Sequence, residues 1–135
     1  MTQRRSARES ALEVLYRFDI GSDDITKTTA EVIRKRKFSP LGKIFFERLI
    51  NETIKNLPTI DKTIKQTLKH WSLARLTAVD RAIIRVACCE LLYFPDTPPK
   101  VIINEALEIA KRYSTAESAR FVNGVLDAIY KKKCG

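Results

Sequence analysis

The spacing of apolar residues follows a helical repeat along nearly the whole chain, and this periodicity limits the fold more than any other feature. In the first segment, Ala7, Ala11, Val14 and Phe18 recur at intervals of three or four, which places them on one helix face. Only 4 glycines and 5 prolines occur among 135 residues, too few for an all-β chain with many tight turns. The pattern predicts an all-α protein.

Turn and capping residues divide the chain into about seven helices. Ser39-Pro40 and the pair Thr77 and Asp80 are helix-start signals, and Ser114 with Glu117 forms a capping box. A connector at about 70–76 separates helical halves of about 1–70 and 71–135, so we expect one compact domain over 1–135 with a shared core. We expect helices over about 4–20, 24–36, 40–56, 60–69, 77–94, 100–112 and 115–131.

The charge balance indicates a polyanionic or acidic partner, most often a nucleic acid. The chain has 25 Lys and Arg against 16 Asp and Glu, a net charge of +9. His70 is the single histidine, next to Trp71, and the 4 glycines are too scattered for a phosphate-binding loop. The sequence therefore predicts neither an enzyme nor a cofactor or metal site.

The apolar residues and cysteines indicate a cytoplasmic protein. No run approaches 18 consecutive apolar residues, and the N-terminus lacks the apolar region of a signal peptide, so we expect no membrane association. Cys88, Cys89 and Cys134 are odd in number and include two neighbours, which is no disulfide framework. We expect buried or half-buried thiols in a reducing compartment.

Three arginines and a tyrosine gather beside the apolar stripe of the first helix. At about 100° per residue, Arg5, Arg8 and Tyr16 share a partly exposed flank, and Arg4 lies close to the stripe's edge. Arginine binds phosphate with two hydrogen bonds, and an aromatic face stacks on a base. Positive charge at a helix start opposes the helix dipole, so we interpret these arginines as ligand-binding residues. The alternative is an ordinary solvated helix start with Tyr16 half in the core.

The last helix offers a second candidate site at Phe121. This ring lies off the centre of the apolar stripe, beside the small residue Gly124, with Arg120 and Asn123 as adjacent donors. A poorly covered ring with donors next to it suits base stacking. The alternative is a phenylalanine at the edge of the core, next to a tight helix contact at Gly124.

The other charged segments are typical of solvated helix surfaces. The runs 34–37 and 131–133 fit helix ends. We expect Arg81 and Arg85 to lie on an exposed face of the long central helix, and Glu105 on a solvated face of the next.

Four segments resemble the NusB transcription antitermination factors. They are RRSAR at 4–8 with ALEVLYRFD at 11–19, WSLARLTAVDRAIIRVACCELLY at 71–93, PKVIINEALEIAKRY at 99–113 and FVNGVLDAI at 121–129. A similar module begins some ribosomal RNA cytosine methyltransferases, but we expect no room for a catalytic domain here.

The resemblance implies an all-α fold of two helical subdomains and a function in transcription. It implies binding to boxA RNA of ribosomal RNA operons together with the ribosomal protein NusE, in an RNA polymerase complex that suppresses premature termination. Ser6 and Ala74 depart from the family pattern, at positions where some members carry an arginine and an acid. We predict RNA binding by Arg4, Arg5, Arg8, Tyr16, Lys100, Arg120 and Phe121, and a NusE-facing surface formed by Leu76, Asp80 and Ile84.

A different function class is also compatible with the sequence. A helical protein–protein adaptor could use its basic charge on an acidic partner, with only incidental RNA binding. A salt titration of RNA binding separates the two classes, because phosphate contacts release counterions and make affinity fall steeply with salt.

Overall fold

The structure, a computed structural model, describes residues 3–21, 24–69 and 72–133, without the side chains of residues 3 and 133. The all-α prediction is confirmed. His70, Trp71 and Cys134 lie outside the described residues. The helices in the described ranges are α1 (Gln3–Gly21), α2 (Ile25–Arg36), α3 (Pro40–Lys55), α4 (Leu57–Thr67), α5 (Ala78–Tyr93), α6 (Pro99–Tyr113) and α7 (Ala116–Lys133), with a 3₁₀ turn at Leu73–Arg75.

Side-chain caps explain where several helices begin. The hydroxyl of Ser39 accepts a hydrogen bond from the N–H of Gly42, and the hydroxyl of Thr77 accepts one from the N–H of Asp80. Both predicted helix starts are confirmed. Asp24 caps α2 in the same way.

One predicted helix start and one predicted capping residue are wrong. Helix α4 begins at Leu57 because Pro58 lies in its first turn, where proline loses no helical hydrogen bond. Helix α7 is capped by Thr115, whose hydroxyl accepts from the N–H of Ser118 at 2.9 Å. Ser114 instead ends α6 and donates its hydroxyl to that of Ser118.

Helix α5 lies at the centre of the packing. It contacts α1, α3, α4, α6 and α7, while α1 also packs on α2 and α3, and α6 packs on α7. This position requires the most apolar helix, and Ile84, Cys88 and Cys89 in α5 are each 0% exposed. Each fully buried large apolar side chain contributes about 1.5–3 kcal/mol to folding. The core is one cluster that includes residues of every helix, from Ala7 to Ile129.

The apolar stripe of α1 stops one turn earlier than predicted. Ala7, Ala11 and Val14 are 0% exposed, but Phe18 is 37% exposed. Ile20 is also exposed, so the last turn of α1 leaves its apolar side chains uncovered.

Ion pairs tie α5 to its neighbours, contrary to the prediction that its arginines face solvent. Arg81 donates to Asp19 of α1 at 2.8 Å and to the carbonyl of Leu76 at 2.9 Å. Arg85 forms a two-point pair with Asp61 of α4, at 2.8 and 2.9 Å. These bonds hold the N-terminal half of α5 against α1 and α4.

Within the described ranges, no helix is both long and apolar enough to cross a bilayer.

Candidate nucleic-acid interface

Arg8 is buried, so the prediction that it lies on a partly exposed flank of α1 is wrong. Its side chain is 5% exposed and forms a two-point ion pair with Glu90 of α5, which is 1% exposed. The Nε–Oε1 distance is 2.6 Å and the Nη2–Oε2 distance is 2.9 Å. A buried guanidinium needs such a partner, because an uncompensated charge in the core is very unfavourable. Arg8 therefore anchors α1 to α5.

Arg5 remains accessible but is also paired. It donates from Nε and Nη2 to the carboxylate of Glu105 on α6, with a Nη2–Oε2 distance of 2.9 Å. The side chain of Arg5 is 34% exposed and that of Glu105 is 23% exposed, so Glu105 does not lie on a solvated face as predicted. The hydrogen bond with Arg5 lowers the pKa of Glu105, and the same bond raises the pKa of Arg5.

Arg4 completes a group of three arginines at the start of α1. Its Nη1 lies 3.2 Å from the hydroxyl of Thr97, and its guanidinium lies 4.4 Å from the centre of the Phe45 ring. Arg4 and Arg8 line one groove with Val101 and Glu105, among others. The interpretation that only a ligand explains these arginines is wrong for Arg5 and Arg8, because Glu105 and Glu90 already supply the opposite charge.

Tyr16 lies two turns further along α1, about 12 Å from Arg8 by helix rise. It is half-buried, as the alternative reading of α1 expects. It lines a cleft that we call the tyrosine cleft, in which Tyr113 is 44% exposed. The residues lining this cleft are Glu9, Leu12, Glu13, Tyr16, Arg36, Val79 and Tyr113.

The remaining predicted RNA-binding residues lie on α6 and α7. Lys100 in the first turn of α6 and Arg120 on α7 are exposed. Phe121 is half-buried and packs against the edge of the core. A Cβ at Gly124 would meet no heavy atom within 4 Å, so the alternative of a tight helix contact there is wrong. The flank beside Phe121 is open, as predicted.

Two of the three predicted NusE-facing residues are buried. Ile84 is 0% exposed and cannot form a direct contact. Asp80 is 7% exposed, and its Oδ2 accepts from the hydroxyl of Ser118 at 3.0 Å. Leu76 is partly buried and packs against the core. Asp80 therefore joins the start of α5 to the start of α7. The helix dipole also favours an acid in the first turn of α5.

A model of the NusB family matches residues 5–131. The chain belongs to the NusB family. Among the relatives of this NusB-family chain, the transcription antitermination protein NusB of Nitratiruptor is 39% identical over 132 residues, covering 98% of this chain and 94% of the relative. The protein of the same name from Chloroherpeton thalassium is 42% identical over 130 residues, 96% of this chain. This chain spans 62% of that relative's length.

Solved structures agree with the family assignment. Thermotoga maritima NusB has a TM-score of 0.91 and 38% identity, covering 99% of this chain and 94% of that one. A crystal structure of antitermination factors NusB and NusE in complex with dsRNA matches with a TM-score of 0.90 and 28% identity. That match covers 98% of both chains.

Sequence reasoning about this NusB-family chain missed two residues at the tyrosine cleft. Tyr113 and Arg112 end α6, and Arg112 lies at the rim with its Nη1 3.1 Å from Oε2 of Glu9. The available signal was an aromatic residue next to an arginine at a helix end, the same pairing that drew attention to Phe121 and Arg120. Glu9 gave no such signal, because its position depends on how α6 folds back onto α1.

Proposed function

We propose that this chain is a transcription antitermination factor that binds boxA-type single-stranded RNA together with NusE. In this role it joins an RNA polymerase complex in the cytoplasm, prevents premature termination and catalyses no reaction. The match to the NusB family over residues 5–131 carries the proposal. The likeness to a NusB–NusE–dsRNA structure supports it.

The groups that contact RNA differ from those that hold the site together. Arg5 uses Nε and Nη2 on Glu105, which leaves its Nη1 donors for a phosphate oxygen. Arg4, Lys100 and Arg120 add exposed positive charge. Phosphate contacts of this kind supply affinity, while stacking and base-edge hydrogen bonds supply sequence preference.

Arg8 enters the proposal as a positioning residue. Its ion pair with Glu90 fixes the first turns of α1 on α5, and its Nη1 lies 3.8 Å from Oε1 of Glu105. Glu105 in turn orients Arg5. The buried arginine therefore acts on RNA through the placement of its neighbour.

The proposed NusE-facing surface also consists of a contacting residue and of buried residues that support it. We propose that Leu76 contacts NusE directly. Asp80 and Ile84 support that surface from below, Asp80 through its hydrogen bond to Ser118 and Ile84 through the core.

We also propose that residues 1–135 form a single RNA-binding domain. The two sequence halves contribute to one buried cluster, and α5 of the second half packs on α1, α3 and α4 of the first. Chemical denaturation followed by circular dichroism and by the fluorescence of the single tryptophan, Trp71, should give coincident transitions. Two separate transitions would contradict the proposal.

RNA binding is tested by fluorescence anisotropy over a salt series, with and without NusE. We expect Arg5→Ala to weaken binding about tenfold and to reduce the slope of log affinity against log salt by about one. Lys65→Ala is the control for net charge, because Lys65 is an exposed cation on α4, a helix that contributes no residue to the proposed RNA surface. Equal losses in both variants would mean that net charge alone attracts the RNA. A flat salt response combined with tight NusE binding would favour the protein adaptor.

Single-stranded RNA is distinguished from duplex RNA by competition. We expect a boxA-type single strand to compete more strongly than the same sequence annealed to its complement, because a duplex hides the base edges. Phe121→Ala should weaken the single strand preferentially, since stacking requires an unpaired base.

A further inference from the structure

The tyrosine cleft combines aromatic walls with fixed hydrogen-bond acceptors. Leu12 and Val79 supply apolar surface, and Tyr16 and Tyr113 supply the rings. Tyr113 is 44% exposed, so its ring is available to a ligand without rearrangement of the core. A cleft with apolar and aromatic lining and a few polar groups suits a flat, partly polar molecule.

Two carboxylates in the cleft are held in place by arginines from other helices. Oε2 of Glu9 lies 3.1 Å from Nη1 of Arg112 on α6, and Glu9 is 6% exposed. Oε1 of Glu13 lies 3.5 Å from Nη2 of Arg36 on α2. Ionised carboxylates accept hydrogen bonds and donate none, so the complementary ligand must carry N–H or O–H donors.

The charge at the rim indicates that the ligand is also anionic. The side chain of Arg112 is 64% exposed, and its guanidinium lies 5.6 Å from the centre of the Tyr113 ring. Arg36 lies on the opposite helix at 32% exposure. Arginines at the mouth and carboxylates inside match a nucleotide, with its phosphate outside and its amino-bearing base within.

The tyrosine cleft and the arginine groove both lie along α1. Arg8 lines that groove, and the next residue, Glu9, lines the cleft. A strand whose phosphate lies on Arg5 can therefore continue along α1 towards Tyr16. The shared position of the cleft and the groove along α1 favours RNA over a protein side chain as the occupant.

We propose that the tyrosine cleft binds one unpaired base of the RNA, stacked against Tyr113 and Tyr16, with its amino edge on the carboxylates of Glu9 and Glu13. The inference rests on the proposed RNA binding and adds a site to it. Adenine, cytosine and guanine carry an exocyclic amino group that donates to a carboxylate, whereas uracil carries carbonyls in place of the amino group and has only its ring N3–H as a donor. The cleft therefore discriminates against uracil at one position of the RNA.

The test is a double-mutant cycle between Tyr113→Ala and single abasic sites placed at each position of a boxA-type RNA. We expect Tyr113→Ala to weaken binding of the intact RNA about tenfold. Tyr113→Ala should not weaken binding to the one RNA that already lacks the cleft base. It should weaken binding to every other abasic RNA as much as it weakens binding to the intact RNA. Tyr113→Phe keeps the ring and should bind within about twofold of the unmodified protein. Phe18→Ala is the matched control, because Phe18 is an exposed ring of α1 outside the cleft.

Base selection is tested with Glu13→Gln, because Glu13 is only partly buried. At the position identified by the cycle, the unmodified protein should prefer cytidine to uridine by about tenfold, and Glu13→Gln should reduce that preference. Unfolding temperatures of all variants are compared first, so that a misfolded variant is not scored.

Several results would overturn the inference. The proposed base site is contradicted if Tyr113→Ala binds RNA with unchanged affinity. It is also contradicted if this variant loses the same affinity for every abasic RNA, or if it loses affinity for NusE alone. If these occur while the unmodified protein binds RNA with a steep salt response, the proposed function stands and only the cleft assignment fails. If the unmodified protein binds no RNA, both fail.

Discussion

Removing the negative partner of the buried Arg8–Glu90 pair should strongly destabilise the protein. Glu90→Gln leaves a guanidinium with 5% exposure and no carboxylate at hydrogen-bond distance, because the carboxylate of Glu105 lies 3.8 Å away. Breaking a buried ion pair from one side costs about 3–5 kcal/mol. Because Glu105 compensates part of the charge, we expect Glu90→Gln to lower the free energy of unfolding by about 3 kcal/mol.

The expected change in unfolding temperature follows from chain length. An unfolding entropy of about 2.1 cal/mol/K per residue gives about 0.28 kcal/mol/K for 135 residues. A loss of about 3 kcal/mol therefore lowers the Tm by about 11 °C. Scanning calorimetry of Glu90→Gln measures it directly. The control is Asp127→Asn, which breaks a pair with Lys131 at 47% and 73% exposure and should move the Tm by less than about 3 °C.

The paired substitution Arg8→Met with Glu90→Leu checks the reasoning. Replacing both charges with apolar side chains of similar size should recover most of the lost stability, because neither charge is then left alone. It should also keep RNA affinity within about threefold, if Arg8 only positions its neighbours. A Glu90→Gln shift below about 4 °C, or a double variant no more stable than the single one, would refute the account of this pair.

Three further predictions follow from single groups. Arg5 donates to Glu105 and lowers the pKa of this carboxyl in the folded state. The contribution of Glu105 to the stability of the fold is therefore full above the unfolded pKa of about 4.3, and it is lost as the pH falls through the lower folded value. Acid unfolding of Glu105→Gln should accordingly be less steep than that of the unmodified protein below about pH 4.3, and identical curves would contradict the pairing. Burial raises the pKa of the Cys89 thiol to about 12, so iodoacetamide at about pH 8 should label this residue only after denaturation, as read by peptide mass spectrometry. Gly124→Ala adds a methyl group where no atom lies within 4 Å, and should raise the stability measured in urea by about 0.5–1 kcal/mol; a loss of stability would reveal a contact there.

The local part of the fold could be predicted from sequence, and the part set by distant residues could not. Helix periodicity and caps such as Ser39 and Thr77 depend on neighbours within four positions, so pattern reasoning reached them. The partners of Arg5 and Arg8 are 100 and 82 residues away, and no local pattern encodes them. One clue was present in Glu90, since a carboxylate inside the most apolar helix must find a positive partner.

The candidate site follows the same division. Lys100 and Arg120 are exposed, as their predicted roles in RNA binding require. The burial of Ile84 and Asp80 depended on how α7 packs onto α5, which helical periodicity does not determine. Tyr113 became a candidate only when the fold brought the end of α6 to the middle of α1.

The two kinds of basic residue have separate places in this molecule. Among the described residues, the ion pairs that join one helix to another all use arginine, while the lysine pairs lie within a single helix, as in Lys111–Glu108 and Lys131–Asp127. Every lysine whose side chain the structure describes is exposed. Acetylation removes the charge of lysine but leaves arginine unchanged. An acetylating reagent would therefore remove the charges of the described lysines from the surface, while the arginine ion pairs between the described helices stayed in place.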